Sequence, residues 1–182
     1  DPAKEILNGD TIWYGDSKPD GTAVLGCAKG VGDLGIPSDG EWNPVKLVDG
    51  GTGKDSFQPI AALTPYAGEI ISIRYNENDD YWLAMTKDKA FRSDVGSVDN
   101  WSEIVLPVSK PWTACEWDGS KWIAVSMVTG ESLVLYSSDG TQWDTNNSID
   151  PMWNVGEDDH RFLGVMSTNG VTIVGFSPGN CP

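Results

Sequence analysis

The chain has 182 residues, 27 of them acidic and 12 basic, for a formal charge of −15. That balance excludes a phosphate-neutralising nucleic-acid surface and disfavours docking on an anionic membrane. One His and three widely separated Cys exclude a His-rich or CxxC metal site, and neither a metal nor a cofactor is expected.

Apolar runs are only a few residues long, so no transmembrane helix is expected. The length fits a single domain over residues 1–182. The chain starts Asp1-Pro2 without an initiator Met and reads as a processed product or a fragment. Nine Trp are several times normal usage and are the feature that needs explaining.

In chain order, Asp1 to Leu7 reads as strand in preference to a short helix. Ile6-Leu7, the turn Asn8-Gly9-Asp10 and Thr11-Ile12-Trp13-Tyr14-Gly15 form a first, weak hairpin pattern. The Gly-rich stretch 30–54 reads as an insertion in the form of a long loop, with Ser38-Asp39-Gly40-Glu41-Trp42 inside it. Tyr75 to Thr86 is a second hairpin: a polar turn at Asn76 to Asp80, then Tyr81-Trp82-Leu83-Ala84-Met85-Thr86. Ala90-Phe91-Arg92-Ser93-Asp94-Val95-Gly96 follows, and Trp101 closes it after a longer turn.

Trp117-Asp118-Gly119-Ser120-Lys121-Trp122-Ile123-Ala124-Val125-Ser126 is the clearest hairpin, because Asp-Gly between apolar runs is a strong turn signal. Leu133 to Tyr136 and Ser137-Ser138-Asp139-Gly140-Thr141-Gln142-Trp143 come next. A last hairpin spans Ser167 to Phe176 around Asn169-Gly170. The stretch from Lys121 to Met127 is apolar almost throughout, which predicts a strand buried on both faces.

The pattern repeats. Trp82 to Trp122 is 40 residues, Trp101 to Trp143 is 42, and Trp42 to Trp101 is 59 because of the insertion. A period near 40 with about four short strands per unit predicts an all-β fold, a β-propeller of about four blades. The same rhythm fits a partial propeller excerpted from a larger ring.

The segment from Ser137 to Trp143 resembles the Asp-box, or BNR, repeat of sialidase-like propellers. Degenerate copies surround Ser93-Asp94 and Ser38-Asp39. The resemblance assigns structural roles to Ser38, Asp39, Trp42, Ser93, Asp94, Trp101, Ser138, Asp139, Gly140 and Trp143. The side-chain oxygens would accept backbone N–H bonds in the turn, the Gly would supply a positive φ, and the Trp ring would close the clamp. Degenerate repeats of this kind look like those of phage tail and fibre proteins and of bacterial surface proteins. The implied role is non-catalytic: a structural or recognition module in an extracellular or virion setting. Its partners would be other subunits of an assembly or a surface glycan.

The alternative is a sialidase-like glycoside hydrolase, which needs a convergent Arg cluster, a Tyr–Glu pair and an acid. The chain has only Arg74, Arg92 and Arg161, and no Arg-Ile-Pro segment. The acidic clusters Asp79-Asp80 and Glu157-Asp158-Asp159, the latter beside His160, read as solvated turns. Trp13, Trp112, Trp117 and Trp153 stand outside the Asp-box pattern and are the candidate stacking surfaces for a sugar, although core packing is the favoured reading of each. Cys115 reads as a small buried hydrophobe, and a Cys27–Cys181 bridge remains an open pairing.

Overall fold

The computed structural model describes residues 11–29, 43–47, 57–128, 131–145, 161–168 and 171–177. These residues form three four-stranded antiparallel sheets and one two-stranded sheet, with no α-helix among them. The expected all-β class is therefore observed. No helix among the described residues is long and apolar enough to cross a membrane.

The first sheet holds β1 (Thr11–Ser17), β2 (Val24–Lys29), β3 (Asn43–Leu47) and β4 (Phe57–Pro59). The second holds β5 (Ile70–Asn76), β6 (Tyr81–Thr86), β7 (Ala90–Ser93) and β8 (Trp101–Ile104). The third holds β9 (Trp112–Trp117), β10 (Trp122–Val128), β11 (Glu131–Ser137) and β12 (Asp144–Thr145). The fourth pairs β13 (Arg161–Thr168) with β14 (Val171–Ser177). Spatial order equals chain order in every sheet, so each is a plain meander. The sheets also follow one another in space: β1 lies against β5, β5 against β9, and β9 and β10 against β13.

The central strands explain the apolar runs. β6 is buried at all six positions. Its alternate residues serve two different cores, as the period-2 geometry of a strand requires. Trp82 and Ala84 pack with Leu25, Cys27, Ile60, Leu63, Ile70, Ile73 and Phe91, between the first and second sheets. Tyr81, Leu83 and Met85 pack with Trp112, Cys115, Trp122, Ala124, Leu135 and Trp143, between the second and third. The pattern then repeats one sheet further on. Trp122 and Ala124 of β10 face that second core, while Ile123 and Val125 join Val134 in a third. A strand covered on both sides has no reason to alternate apolar with polar residues.

The turns after the first strands of the second and third sheets are fixed by side chains. The Asn76 carbonyl oxygen accepts the backbone N–H groups of Asn78 and Asp79, at 2.9 and 3.2 Å. Asp118 does the same for Ser120 and Lys121, both at 2.8 Å. Both are Asx turns, in which a short polar side chain caps the reversing backbone. At Gly119 the chain adopts φ +93°, which the Asp-Gly pair anticipates.

Several expectations shift here. β1 pairs with β2 across a turn at 18–23, with Lys18 N–H bonded to the Ala23 carbonyl. The hairpin expected around Asn8-Gly9-Asp10, and any strand from Asp1 to Leu7, lie outside the described residues. The expected loop insertion at 30–54 contains β3, which bridges β2 and β4 in the first sheet. Cys27 is buried on β2, and Cys181 lies outside the described residues.

Candidate functional site

The first strands of three consecutive sheets end side by side. Between their ends lies an open pocket of about 290 Å³, lined by Asp16, Ser17 and Pro19, by Arg74, Tyr75 and Glu77, and by Glu116 and Trp117. Each strand contributes its last residues, and the turns behind β1 and β5 add Pro19 and Glu77.

The floor of this pocket is a bidentate ion pair. Arg74 Nε and Nη2 donate to Glu116 Oε2 and Oε1, both at 2.7 Å. The Arg74 side chain is 25 % exposed and that of Glu116 20 %. Burial alone would lower the Arg74 pKa, but the hydrogen bonds and charge of Glu116 outweigh it and raise it above its ordinary value. Arg74 Nη1 also donates to the carbonyl of Ile73 at 3.0 Å. Its guanidinium is thus committed within the protein.

The wall on the β1 side is tied by Asp16. Its Oδ2 accepts the backbone N–H of Tyr75, and its Oδ1 that of Ser17, both at 2.8 Å. The Tyr75 hydroxyl donates to Asp80 Oδ1 at 2.7 Å, and Lys18 pairs with the same carboxylate oxygen. Hydrogen bonds from Lys18 and Tyr75 hold the Asp80 carboxyl below its usual range. Burial and the donation to Asp80 push the Tyr75 phenol well above its ordinary value, so it stays protonated. Trp117 packs against Trp122 with ring centroids 5.2 Å apart, and its buried indole N–H has no partner.

No protein-family model matches this chain, and neither a curated protein nor a solved structure does.

Of the four tryptophans singled out as stacking surfaces, Trp117 lines this pocket. Trp112 is 1 % exposed and packs in the core between the second and third sheets. Trp13 lies on β1, and Trp153 lies outside the described residues. Arg74 lines this pocket, and Arg92 is not among its lining residues. Arg92 stacks its guanidinium 3.8 Å from the centre of the Tyr81 ring. Arg161 opens β13.

The turn residues assigned structural roles form two side-chain-braced loops. In the third sheet, Ser137 Oγ accepts the N–H of Gly140 at 2.8 Å and donates to Asp139 Oδ1 at 3.1 Å. Asp139 Oδ1 accepts the N–H groups of Thr141 and Gln142 at 2.7 and 2.9 Å. The Trp143 indole closes the loop by donating to the Gly140 carbonyl at 3.1 Å. The acting hydroxyl is that of Ser137, not the expected Ser138, which is exposed. Strand alternation decides this: Ser137 ends β11 opposite Trp122 and points inward, so Ser138 points out.

In the second sheet the work is divided. Ser93 Oγ accepts the Trp82 backbone N–H at 2.8 Å. The loop itself is braced by Ser97, whose Oγ accepts the N–H groups of Asp99 and Asn100 at 3.2 and 3.0 Å. Asp94, expected in the Ser97 role, is exposed and bonds through its backbone to Ser97 and Asn100. Trp101 donates to the Val98 carbonyl three residues back, at 2.9 Å, as Trp143 does to Gly140. Ser38, Asp39 and Trp42 lie outside the described residues.

Sequence reasoning missed Asp16, Glu77 and Glu116. A usable signal existed in the repeat lengths. Arg74 and Glu116 are 42 residues apart, and Asp16 and Tyr75 are 59 apart. These are the Trp101–Trp143 and Trp42–Trp101 spacings. Adding them to any residue at the end of one first strand finds its neighbours on the next.

Proposed function

We propose that this chain is a non-catalytic recognition or structural module built as a series of propeller blades of the Asp-box type. It would serve an extracellular or virion surface, such as a phage tail or fibre, and contact other subunits of an assembly or a surface glycan. The observation that carries this reading is serial packing: each described sheet is a meander, first strands lie against first strands, and the central strands β6 and β10 each divide their side chains between two neighbouring cores. Blades packed around an axis have that arrangement. The Ser137–Asp139–Trp143 loop supports the Asp-box part, since Ser137 Oγ, Asp139 Oδ1 and the Trp143 indole N–H all brace the turn.

The state of the arginines favours binding over sialidase-like hydrolysis. Arg74 is saturated by Glu116, and Arg92 lies on Tyr81, so neither is held ready for a substrate carboxylate. The surface charge of −15 keeps such a module from non-specific association. A glycan array combined with a fluorogenic sialoside assay tests the reading. Array binding without turnover is the expected result. Turnover that survives repurification would overturn it, and a blank array would leave the structural role alone.

A further inference from the structure

The pocket at the ends of β1, β5 and β9 has a chemistry of its own. Its lining carries three carboxylates, Asp16, Glu77 and Glu116, against one guanidinium, Arg74. Arg74 and Glu116 cancel one another through their bidentate pair, which leaves a rigid and locally neutral floor. Asp16 is pinned by two backbone N–H groups, and each of its oxygens keeps an unused lone pair. Glu77 is exposed on the rim and contributes uncompensated negative charge. Trp117 lines the β9 side with a partly buried ring backed by Trp122, and its indole N–H is buried away from the pocket space. The space is close to the lower end of the range for small-ligand pockets.

We infer that this pocket holds one pyranose ring of a non-acidic saccharide, preferring an amino sugar and rejecting a carboxylated one. This deepens the recognition reading above and rests on it. Sugar hydroxyls are donors that carboxylates fixed in position receive well. A pyranose face packs on an indole by apolar contact. An ammonium on the ring would sit favourably in the field of Asp16 and Glu77, whereas a sugar carboxylate would meet like charge and find Arg74 already taken. The preference is thus opposite to that of a pocket built to grip sialic acid.

The experiment is saturation-transfer NMR with glucosamine, glucose and glucuronate, on the whole chain and on Glu77→Gln and Trp117→Phe. Glucosamine should bind with a Kd on the order of 1 mM, glucose more weakly, and glucuronate below detection. Glu77→Gln should weaken glucosamine about three- to fivefold and leave glucose unchanged. Because Glu77 is exposed, its thermal unfolding midpoint should stay in place. Trp117→Phe should weaken both sugars. Glucuronate binding as tightly as glucosamine would overturn the inference, as would glucosamine affinity indifferent to Glu77→Gln. A positive glycan array whose signal survives both substitutions would sink the pocket while sparing the recognition reading. A blank array together with no binding by any of the three sugars would sink both.

Discussion

The indole N–H of Trp122, on β10, donates to the hydroxyl of Tyr81, on β6, at 2.8 Å, and both residues are fully buried. This single bond joins the middle of two neighbouring sheets inside their shared apolar core. Tyr81 also carries Arg92 on its ring. Tyr81→Phe keeps the ring and its contact with Arg92 but leaves the Trp122 N–H without a partner. We expect a loss of about 1–3 kcal/mol in urea unfolding, with an unchanged m-value. Trp122→Phe, which removes the donor and opens a cavity, should cost more, about 3 kcal/mol.

Arg74 and Glu116 join the second and third sheets at the pocket floor. Removing one partner strands a half-buried charge. Arg74→Ala and Glu116→Ala should each cost about 1–3 kcal/mol, and the double variant should cost clearly less than their sum. A double-mutant cycle by chemical unfolding measures this. Strict additivity would mean that the pair is solvated and energetically idle.

Gly140 and Gly119 both hold positive φ, +73° and +93°, but their surroundings differ. A Cβ on Gly140 would lie 3.2 Å from the Tyr81 ring and 3.4 Å from Leu83 Cδ1, whereas nothing lies within 4 Å of one on Gly119. Gly119→Ala should therefore cost only the backbone strain, about 1 kcal/mol. Gly140→Ala should add a steric cost and exceed it by about 1 kcal/mol or more. The difference between their thermal unfolding midpoints reads this directly.

Asp139 gives the fold an acid limit. Burial would raise its carboxyl, but the N–H groups of Gln142 and Thr141 outweigh that and hold its pKa at about 2. The value in an unfolded chain is about 3.9. A folded-state pKa below the unfolded one stabilises the native state above pH 4, and that contribution is lost as pH falls from about 4 to about 2. After allowance for solvent screening it amounts to about 1–2 kcal/mol. Asp139→Asn should flatten the acid limb of the stability curve over that window, as followed by near-UV circular dichroism.

Much of the strand layout was legible because burial on two faces leaves a mark in composition. The run from Trp122 to Val125 and its counterpart from Tyr81 to Met85 contain no polar residue, and both prove to be central strands. The closing positions of Trp101 and Trp143 were legible for the same reason, since a large aromatic after a polar turn must find a core. The turn chemistry was only half legible. Ser137 and Ser138 are adjacent and chemically identical, and only the inward or outward sense of β11 separates them. The pocket was not legible residue by residue. Its carboxylates and arginine gain meaning from strands brought together across 42 and 59 residues, and no local pattern distinguishes Glu116 from any other exposed-looking acid.

The two-sided burial of β6 also sets how the chain breaks. Trp82 and Ala84 belong to one core and Tyr81, Leu83 and Met85 to the next, so this strand cannot loosen without disturbing two neighbours at once. Damage at this strand therefore travels in both directions. Resistance to pulling or to proteolysis is then a property of the row, not of any sheet in it. For a module that works under mechanical load, strength would grow with each unit added.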